Sequence, residues 1–310
     1  SAVDKQVSVY EMNAGILAEV TSESYSVFST CDFDGDGVSD IVAVHLDKEA
    51  GTSTASLLSL TEQGFTKNSS CMLDGNVTSY YEPVISSLAD GTPAIFIDAA
   101  KSTGMITEVL CISDSALTSI FSSPEVLGGE NVRTLRASSV RSSDFDGDGS
   151  VDIPLAEKLP SPAGTQESDV TYMTTWNRVD GNMLTPMDHT IINYVDGYYV
   201  IIPDEWVGNI TVQRNLDIRQ RIISRWSPDE KAAGEEIVRL QTLKIKEWES
   251  NLEKYENYFE LARSSEDVMI AKLSNSALNP GEDYIRAHFR LIDDAAANKT
   301  GTGKSNLNVK

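Results

Sequence analysis

The amino-acid sequence predicts a mainly β protein with a smaller α+β domain behind it, and three observations carry that expectation. A unit of loop, apolar run and alternating hairpin recurs at intervals of roughly 50 to 60 residues. Each loop opens directly onto a continuous apolar stretch, the pattern of a strand covered on both faces. After residue 189 the repetition stops, and the described pattern ends in a helix signature.

The loops of the repeat turn at Asp36-Gly37, Asp90-Gly91 and Asp148-Gly149. They lead into Ile41-Val42-Ala43-Val44, Ala94-Ile95-Phe96-Ile97 and the weaker Ile153-Pro154-Leu155. Alternating segments follow as hairpins: Ser56 to Met72 about Glu62-Gln63-Gly64, Ile106 to Phe121 about Asp114-Ser115, and Thr171 to Met187 about Asp180-Gly181. A further hairpin, Val7 to Val20 about Asn13-Ala14-Gly15, stands first and has no loop or inner strand before it. Several strands per repeat of this length are the signature of β-propeller blades, because one blade cannot cover its own apolar face. The expectation is an incomplete or open β-propeller over residues 1–189, with a single β-sandwich as the alternative. About three and a half blades can be counted, where closed propellers have typically four to eight. Either further blades precede Ser1 in the natural chain, or the second domain covers the open edge.

From Thr190 the reading is a separate α+β domain over residues 190–294. Thr190 to Ile202 alternates about Asp196-Gly197, Pro203-Asp204-Glu205-Trp206 breaks it, and Ile210 to Trp226 and Ile237 to Ile245 supply more strands. A helix is expected after Asn279 as cap, with Pro280 in the first turn and Glu282 completing a capping box. Tyr284, Ile285, His288, Phe289 and Ile292 would share its apolar face. Residues 295–310 have no apolar period and read as a disordered tail.

Composition narrows the function. Across 310 residues, Lys and Arg number 25 against 47 Asp and Glu, a net charge of −22. Such a surface repels phosphate backbones, so nucleic acid is excluded as a partner. No apolar run approaches the roughly 20 residues of a membrane-spanning helix. Ser1-Ala2-Val3-Asp4 lacks the features of a signal peptide, so the chain is either cytosolic or begins at a processed end. Cys31, Cys71 and Cys111 match no zinc spacing; they read as buried free thiols, with a disulfide between two of them as the alternative.

The densest chemical signal lies in two nine-residue windows. Asp32-Phe33-Asp34-Gly35-Asp36-Gly37-Val38-Ser39-Asp40 places carboxylates at positions 1, 3, 5 and 9, a glycine at 6 and the Val38 carbonyl at 7. Asp144-Phe145-Asp146-Gly147-Asp148-Gly149-Ser150-Val151-Asp152 repeats this, with Ser150 at position 7. Hard oxygen donors at that spacing wrap one Ca²⁺, whereas four carboxylates forced together without a cation repel. Neither window is an EF-hand: position 12 is Ala43 or Leu155 where that motif needs Glu, and strands follow rather than helices.

The run Asp-x-Asp-Gly-Asp-Gly-x-x-Asp leading into an apolar strand resembles the FG-GAP or VCBS repeats of integrin-α-like β-propellers, over roughly residues 7–189. That resemblance implies one Ca²⁺ per loop. It assigns Asp32, Asp34, Asp36, Val38 and Asp40 to the first ion, and Asp144, Asp146, Asp148, Ser150 and Asp152 to the second. The middle loop, Leu88-Ala89-Asp90-Gly91, keeps only Asp90, and no ion is expected there. Gly197-Tyr198-Tyr199 before Pro203-Asp204-Glu205-Trp206 looks like the C-terminal domain of Gram-positive bacterial lipoproteins of unknown role, which implies a lipid anchor upstream of Ser1.

No catalytic arrangement is visible. His45, His189 and His288 sit in no nucleophile or metallohydrolase motif, and no Asp/Glu pair stands out as that of a glycan hydrolase, the low-ranked enzymatic alternative. Trp176, Trp206, Trp226 and Trp248 read as core residues, or else as a sugar-stacking platform. The expectation is a secreted, calcium-binding module of the bacterial cell surface whose ligand is a protein or glycan. The alternative is an architectural domain that calcium only rigidifies.

Overall fold

A computed structural model describes residues 5–62, 64–125 and 129–292, the side chain of Asn13 excepted. The expected tail over 295–310 lies outside the described residues, as do Ser1 to Asp4 and the turn residue Gln63. The chain is mainly β, arranged in several antiparallel sheets. It divides into two compact units. Among the described residues, the first comprises 5–155 with 177–186 and the second 156–176 with 187–292.

The first unit opens with the hairpin β1 (Lys5–Asn13) and β2 (Ile16–Tyr25). Its two turn residues, Ala14 and Gly15, both have positive φ, which matches the turn to the twist of the strands. A four-stranded meander follows in the order β3 (Val27–Cys31), β4 (Asp40–Asp47), β5 (Thr52–Thr61) and β6 (Gly64–Leu73). In the next sheet β7 (Ser79–Tyr80) and β8 (Val84–Ser87) both pair with β9 (Pro93–Lys101), which continues to β10 (Gly104–Ser113) and β11 (Ala116–Ser119). The third meander begins with β12 (Ile153–Lys158), β13 (Tyr172–Asp180) and β14 (Met183–Asn193).

The continuous apolar runs have the expected cause, because side chains alternate across a strand and both faces of these strands are covered. From β4, Val42 and Val44 join Ile95, Ile97 and Leu110 in one core cluster, while Ile41 and Ala43 pack with Leu58 under Val7, Val9 and Tyr25 of the first hairpin. From β9, Ala94 and Phe96 point the other way, into a cluster with Val109, Phe121, Val151, Ile153 and Val179. Strands β4 and β9 therefore each serve two cores at once.

Between β11 and β12 the described residues form little regular structure, and a buried polar network pins them. The Asp98 carboxylate on β9 accepts hydrogen bonds from Arg136 Nη2 (2.8 Å), Thr107 Oγ1 (2.7 Å), the Ser142 amide (2.9 Å) and Ser142 Oγ (3.0 Å). Arg136 is buried, and its Nε donates to the Val140 carbonyl at 2.8 Å. Beside it Lys101 bridges Asp74 and Glu130, at 2.8 and 2.9 Å. Glu108, fully buried, accepts from the Asp74 amide and Ser122 Oγ. Burial pushes its carboxyl up to about 7.

In the second unit, β14 continues to β15 (Tyr198–Ile201), and a sheet of β16 (Ile210–Asn215), β17 (Gln220–Ser227), β18 (Ala232–Lys244), β19 (Phe259–Arg263) and β20 (Asp267–Leu273) supplies the larger surface. Trp206, Ile210, Ile223, Val238 and Ile285 form its core, and the Trp206 indole N–H donates to the Leu278 carbonyl at 2.9 Å. A short helix not expected from the sequence, α1 (Ile245–Ser250), follows β18 directly.

The final helix is shorter than expected. It spans α2 (Glu282–His288), and the chain then turns extended as β21 (Phe289–Leu291), whose residues pair with β15. Phe289 and Ile292 are thus buried from extended or bridging backbone, not from a helical face. Asn279 does not cap the helix: its Oδ1 accepts the Gly281 amide at 2.9 Å, and Gly281, with φ of 90°, holds the cap position without a side-chain bond. The edge of β15 offers Phe289 ladder bonds in place of about one further turn of helix.

All three cysteines are free thiols; Cys111 is buried, and Cys31 and Cys71 are half-buried. Burial pushes the Cys71 thiol up to about 12 and also raises that of Cys31, so both stay protonated and unreactive near neutrality.

Asp98→Ala is expected to destabilise the first unit by about 3–5 kcal/mol, because it leaves the Arg136 guanidinium buried without its partner. Urea unfolding of the variant beside the wild type measures this. A loss below about 0.5 kcal/mol, the range of ordinary surface substitutions, would show that the network contributes nothing specific.

Candidate metal centre

Both acidic windows are connections between antiparallel strands. The first joins β3 to β4, where Cys31 pairs with Asp40. The second is closed by an isolated bridge between Ser143 and Asp152, whose amides donate to each other's carbonyls at 3.2 and 2.8 Å. Phe33 and Phe145 are buried and anchor each loop from its second residue. The glycines at positions 4 and 6 have φ near +80 to +90° in both loops. A Cβ at Gly37 or Gly149 would meet nothing within 4 Å, so the requirement is for left-handed backbone and not for space.

The carboxylates organise the loops through backbone amides, in the same way twice. Asp32 Oδ1 and Oδ2 accept from the Gly35 and Gly37 amides at 2.9 and 3.0 Å, and Asp144 does the same from Gly147 and Gly149 at 2.8 and 3.1 Å. Asp34 accepts from Asp36 and Asp36 from Val38; Asp146 accepts from Asp148 and Asp148 from Ser150, all between 2.7 and 3.1 Å. Positions 3 and 5 thus each form an Asx turn in both copies.

The ninth residue is different. Asp40 and Asp152 are each 1% exposed. One oxygen is held: Asp40 Oδ2 accepts the Phe33 amide at 2.8 Å, and Asp152 Oδ2 the Phe145 amide at 3.2 Å. The other, Oδ1 in both, is buried with no hydrogen-bond partner. Leaving a buried carboxylate oxygen bare costs several times more than leaving a neutral one. Burial first, and then the neighbouring carboxylates, raise the Asp40 carboxyl; the same causes push Asp152 up to about 6, with Arg178 working against them.

Two triads among the described residues bring ligand oxygens within 4.8 Å of one another: Asp32, Asp34 and Asp40 in the first loop, and Asp144, Asp146 and Asp148 in the second. Both could hold a metal ion. At that separation each like-charged pair repels by roughly 3 kcal/mol for an effective dielectric of about 20. The donor set is entirely oxygen, which suits a hard cation. Of the residues expected from the sequence, Asp36 stands outside the first triad and Asp152 outside the second, and Val38 and Ser150 engage the loops through their amides.

Arg178, near the end of β13, breaks the symmetry. Its Nη2 contacts Asp146 Oδ2 at 3.1 Å and pairs still more closely with Asp148 Oδ2. A guanidinium thus lies on the second triad, whereas no ion pair is found at the first among the described residues. Sequence reasoning missed it, because nothing local marks one arginine in a strand as the partner of a distant loop. In the middle connection, between β8 and β9, Asp90 Oδ1 accepts the Thr92 amide at 2.9 Å, and that bond lowers its carboxyl below the usual range.

The raised carboxyls set the sign of a pH effect. A carboxyl whose folded pKa lies above its unfolded value stabilises the fold when protonated, and that contribution is lost as pH rises through the folded pKa. In the presence of EDTA, Asp152 and Glu108 are therefore expected to make the first unit less stable as pH rises from 5 to 7, and Asp40 acts in the same direction. With Ca²⁺ in excess the slope at the loops should reverse, because protons then compete with the metal. Melting temperature against pH in the two conditions checks this, and identical slopes would count against a cation at the loops. Comparison with protein-family models gives no match for the chain, and comparison with curated proteins gives none.

Proposed function

We propose that the chain is a calcium-stabilised binding module of the bacterial cell surface, built from FG-GAP/VCBS-like β-propeller blades, with a protein or glycan as its ligand. The observation that carries the calcium reading is the pair of bare, buried oxygens, Asp40 Oδ1 and Asp152 Oδ1, the first on a member of one carboxylate triad and the second at the end of the loop that carries the other. Bound Ca²⁺ would supply the positive charge that these oxygens lack. The chain's own contribution is the loop geometry: amides hold Asp32, Asp34 and Asp36, and their counterparts, in place before any ion arrives.

The blade reading is supported by three successive meanders, each entered by a connection ahead of its inner strand and each sharing a core with the next. Protonated, shielded thiols are compatible with the cell surface.

The alternative, in which calcium rigidifies an architectural domain, draws support from the tryptophans. Trp176 and Trp206 are buried and Trp226 and Trp248 are half-buried, so they offer no exposed stacking platform. In both readings the ion stiffens strand connections and does not touch the ligand.

Calcium at a hundredfold excess over Kd is expected to stabilise the first unit by about 2.7 kcal/mol. An unchanged melting temperature after EDTA treatment of metal-loaded protein would sink the assignment. By calorimetry Asp34→Ala should lose one of two equivalents, while Asp90→Ala keeps both. Arg178→Ala should tighten the second site about fivefold, the value of roughly 1 kcal/mol for a part-exposed ion pair that otherwise competes with the metal. Weaker binding in that variant would mean that the guanidinium supports the loop instead of competing for it.

A further inference from the structure

The second unit contains a cleft that neither the calcium loops nor the blade reading explains. It has a volume of about 360 Å³ and is lined by Asp188, His189, Asp204, Glu205, Tyr284 and His288 among others, with no lysine or arginine in its wall. That volume lies within the range of small-ligand pockets. We propose that this cleft binds an organic ammonium ion, either a free alkyl amine or the side chain of a lysine.

The folding of the cleft brings together residues far apart in the sequence. Asp188 and His189 lie on β14, and the Ile202 amide donates to the His189 carbonyl at 2.8 Å, fixing the chain where it leaves β15. Pro203 then starts a 3₁₀ turn, Asp204–Trp206, whose last residue is sunk in the core. Trp206 is thus the anchor, and Asp204 and Glu205 remain exposed at the rim. Helix α2 brings the opposite wall.

The wall is chemically suited to an ammonium group in two ways. Tyr284 and His288 stack with ring centroids 3.9 Å apart and planes at 14°, and with Pro280 they give a flat, weakly polar surface for an alkyl chain and a π face for its charge. Three carboxylates supply negative charge, and they act on the Tyr284 hydroxyl strongly enough to add to the effect of its burial in raising its pKa. His288 Nδ1 donates to the Tyr284 carbonyl at 2.8 Å, which fixes the ring against helix α2. His189 Nδ1 is engaged with Thr175 Oγ1 at 2.9 Å. An ammonium ion has three donors and no acceptor, and the exposed carboxylates of Asp204 and Glu205 at the rim can accept from it.

A metal ion fits the same residues less well. Among the described residues, only the two acidic loops bring three His, Cys, Asp or Glu ligand atoms within 4.8 Å of one another. The cleft would have to rearrange to chelate a metal, but not to receive an elongated cation.

The chain has three histidines, so its imidazole NMR spectrum is simple, and His45, on β4 of the first unit, serves as an internal reference. Cadaverine and Nα-acetyl-lysine amide are titrated separately into the full chain with calcium present. The expected result is a saturable shift of the His189 and His288 resonances with that of His45 unmoved. Tighter binding of cadaverine identifies a free diamine, and tighter binding of the lysine derivative a peptide side chain; both support the ammonium site. The Asp204→Asn, Glu205→Gln double variant changes only exposed groups, and its unperturbed starting spectrum verifies its fold. It should weaken binding by at least about tenfold, as expected for losing charged hydrogen bonds. Parallel movement of all three imidazoles would reveal diffuse attraction to a chain of charge −22 and overturn the proposal. Unchanged affinity in the double variant would do the same, as would saturation by Zn²⁺ with no response to either amine.

Discussion

A carboxylate removed from water must be paired, protonated or otherwise compensated, and the first unit is organised around that constraint. Its buried acids among the described residues are Asp40, Asp74, Asp98, Glu108 and Asp152. Asp98 is answered by Arg136, and Asp74 by Lys101 and the Asn131 amide. Glu108, ringed by donors but without a cation of its own, is pushed up to about 7 and carries a proton part of the time at neutrality. Asp40 and Asp152 are answered least: burial raises both carboxyls, one oxygen of each is held by an amide, and the other has no hydrogen-bond partner. What distinguishes the acidic loops from the other acids is therefore not carboxylate density but this unanswered pair.

The polar network and the second loop are parts of one arrangement. Arg136 and Asp98 hold the irregular chain before β12, and the Ser142 amide is one of the donors to Asp98. Two residues later Asp144 begins the acidic loop. A buried ion pair is an expensive way to fix a segment, since an apolar substitute of equal volume is often as stable. Its geometry is directional, however, and it sets where the loop starts on a stretch with few ladder bonds to do so.

These arrangements were unequally legible in the sequence. The inner strands and the hairpins are legible because each depends on residues within about ten positions, where spacing and alternation carry the information. Helix α2 was overextended because the periodicity of Ile285, Phe289 and Ile292 is compatible with a helix, and the competing edge of β15 lies far away in the chain. Arg178 on the second triad, the Asp98 network and the cleft around His189 and His288 left no local trace. Each is made by residues from segments far apart in the chain, and a lone arginine or histidine looks the same whether it faces water or a partner.

The three connections also show why acid count and loop length go together. The first and second span residues 32–39 and 144–151, and the middle one only 88–92. In the short connection the Leu88 amide donates to Thr92 and the Gly91 amide to Leu88, so the turn closes on itself and Asp90 needs only to cap Thr92. A longer connection has too many amides for such closure. In the acidic loops the surplus donors are taken up by Asp32, Asp34 and Asp36, and by Asp144, Asp146 and Asp148. Satisfying those amides with carboxylates brings Asp32 and Asp34 together with Asp40, and Asp144, Asp146 and Asp148 with one another, to within 4.8 Å. The same residues that make the long loop fold thus create the need for a cation, met in part by Arg178 in the second loop and by no ion pair at the first among the described residues. Of the two sites, the first is accordingly the one with the stronger electrostatic demand for metal.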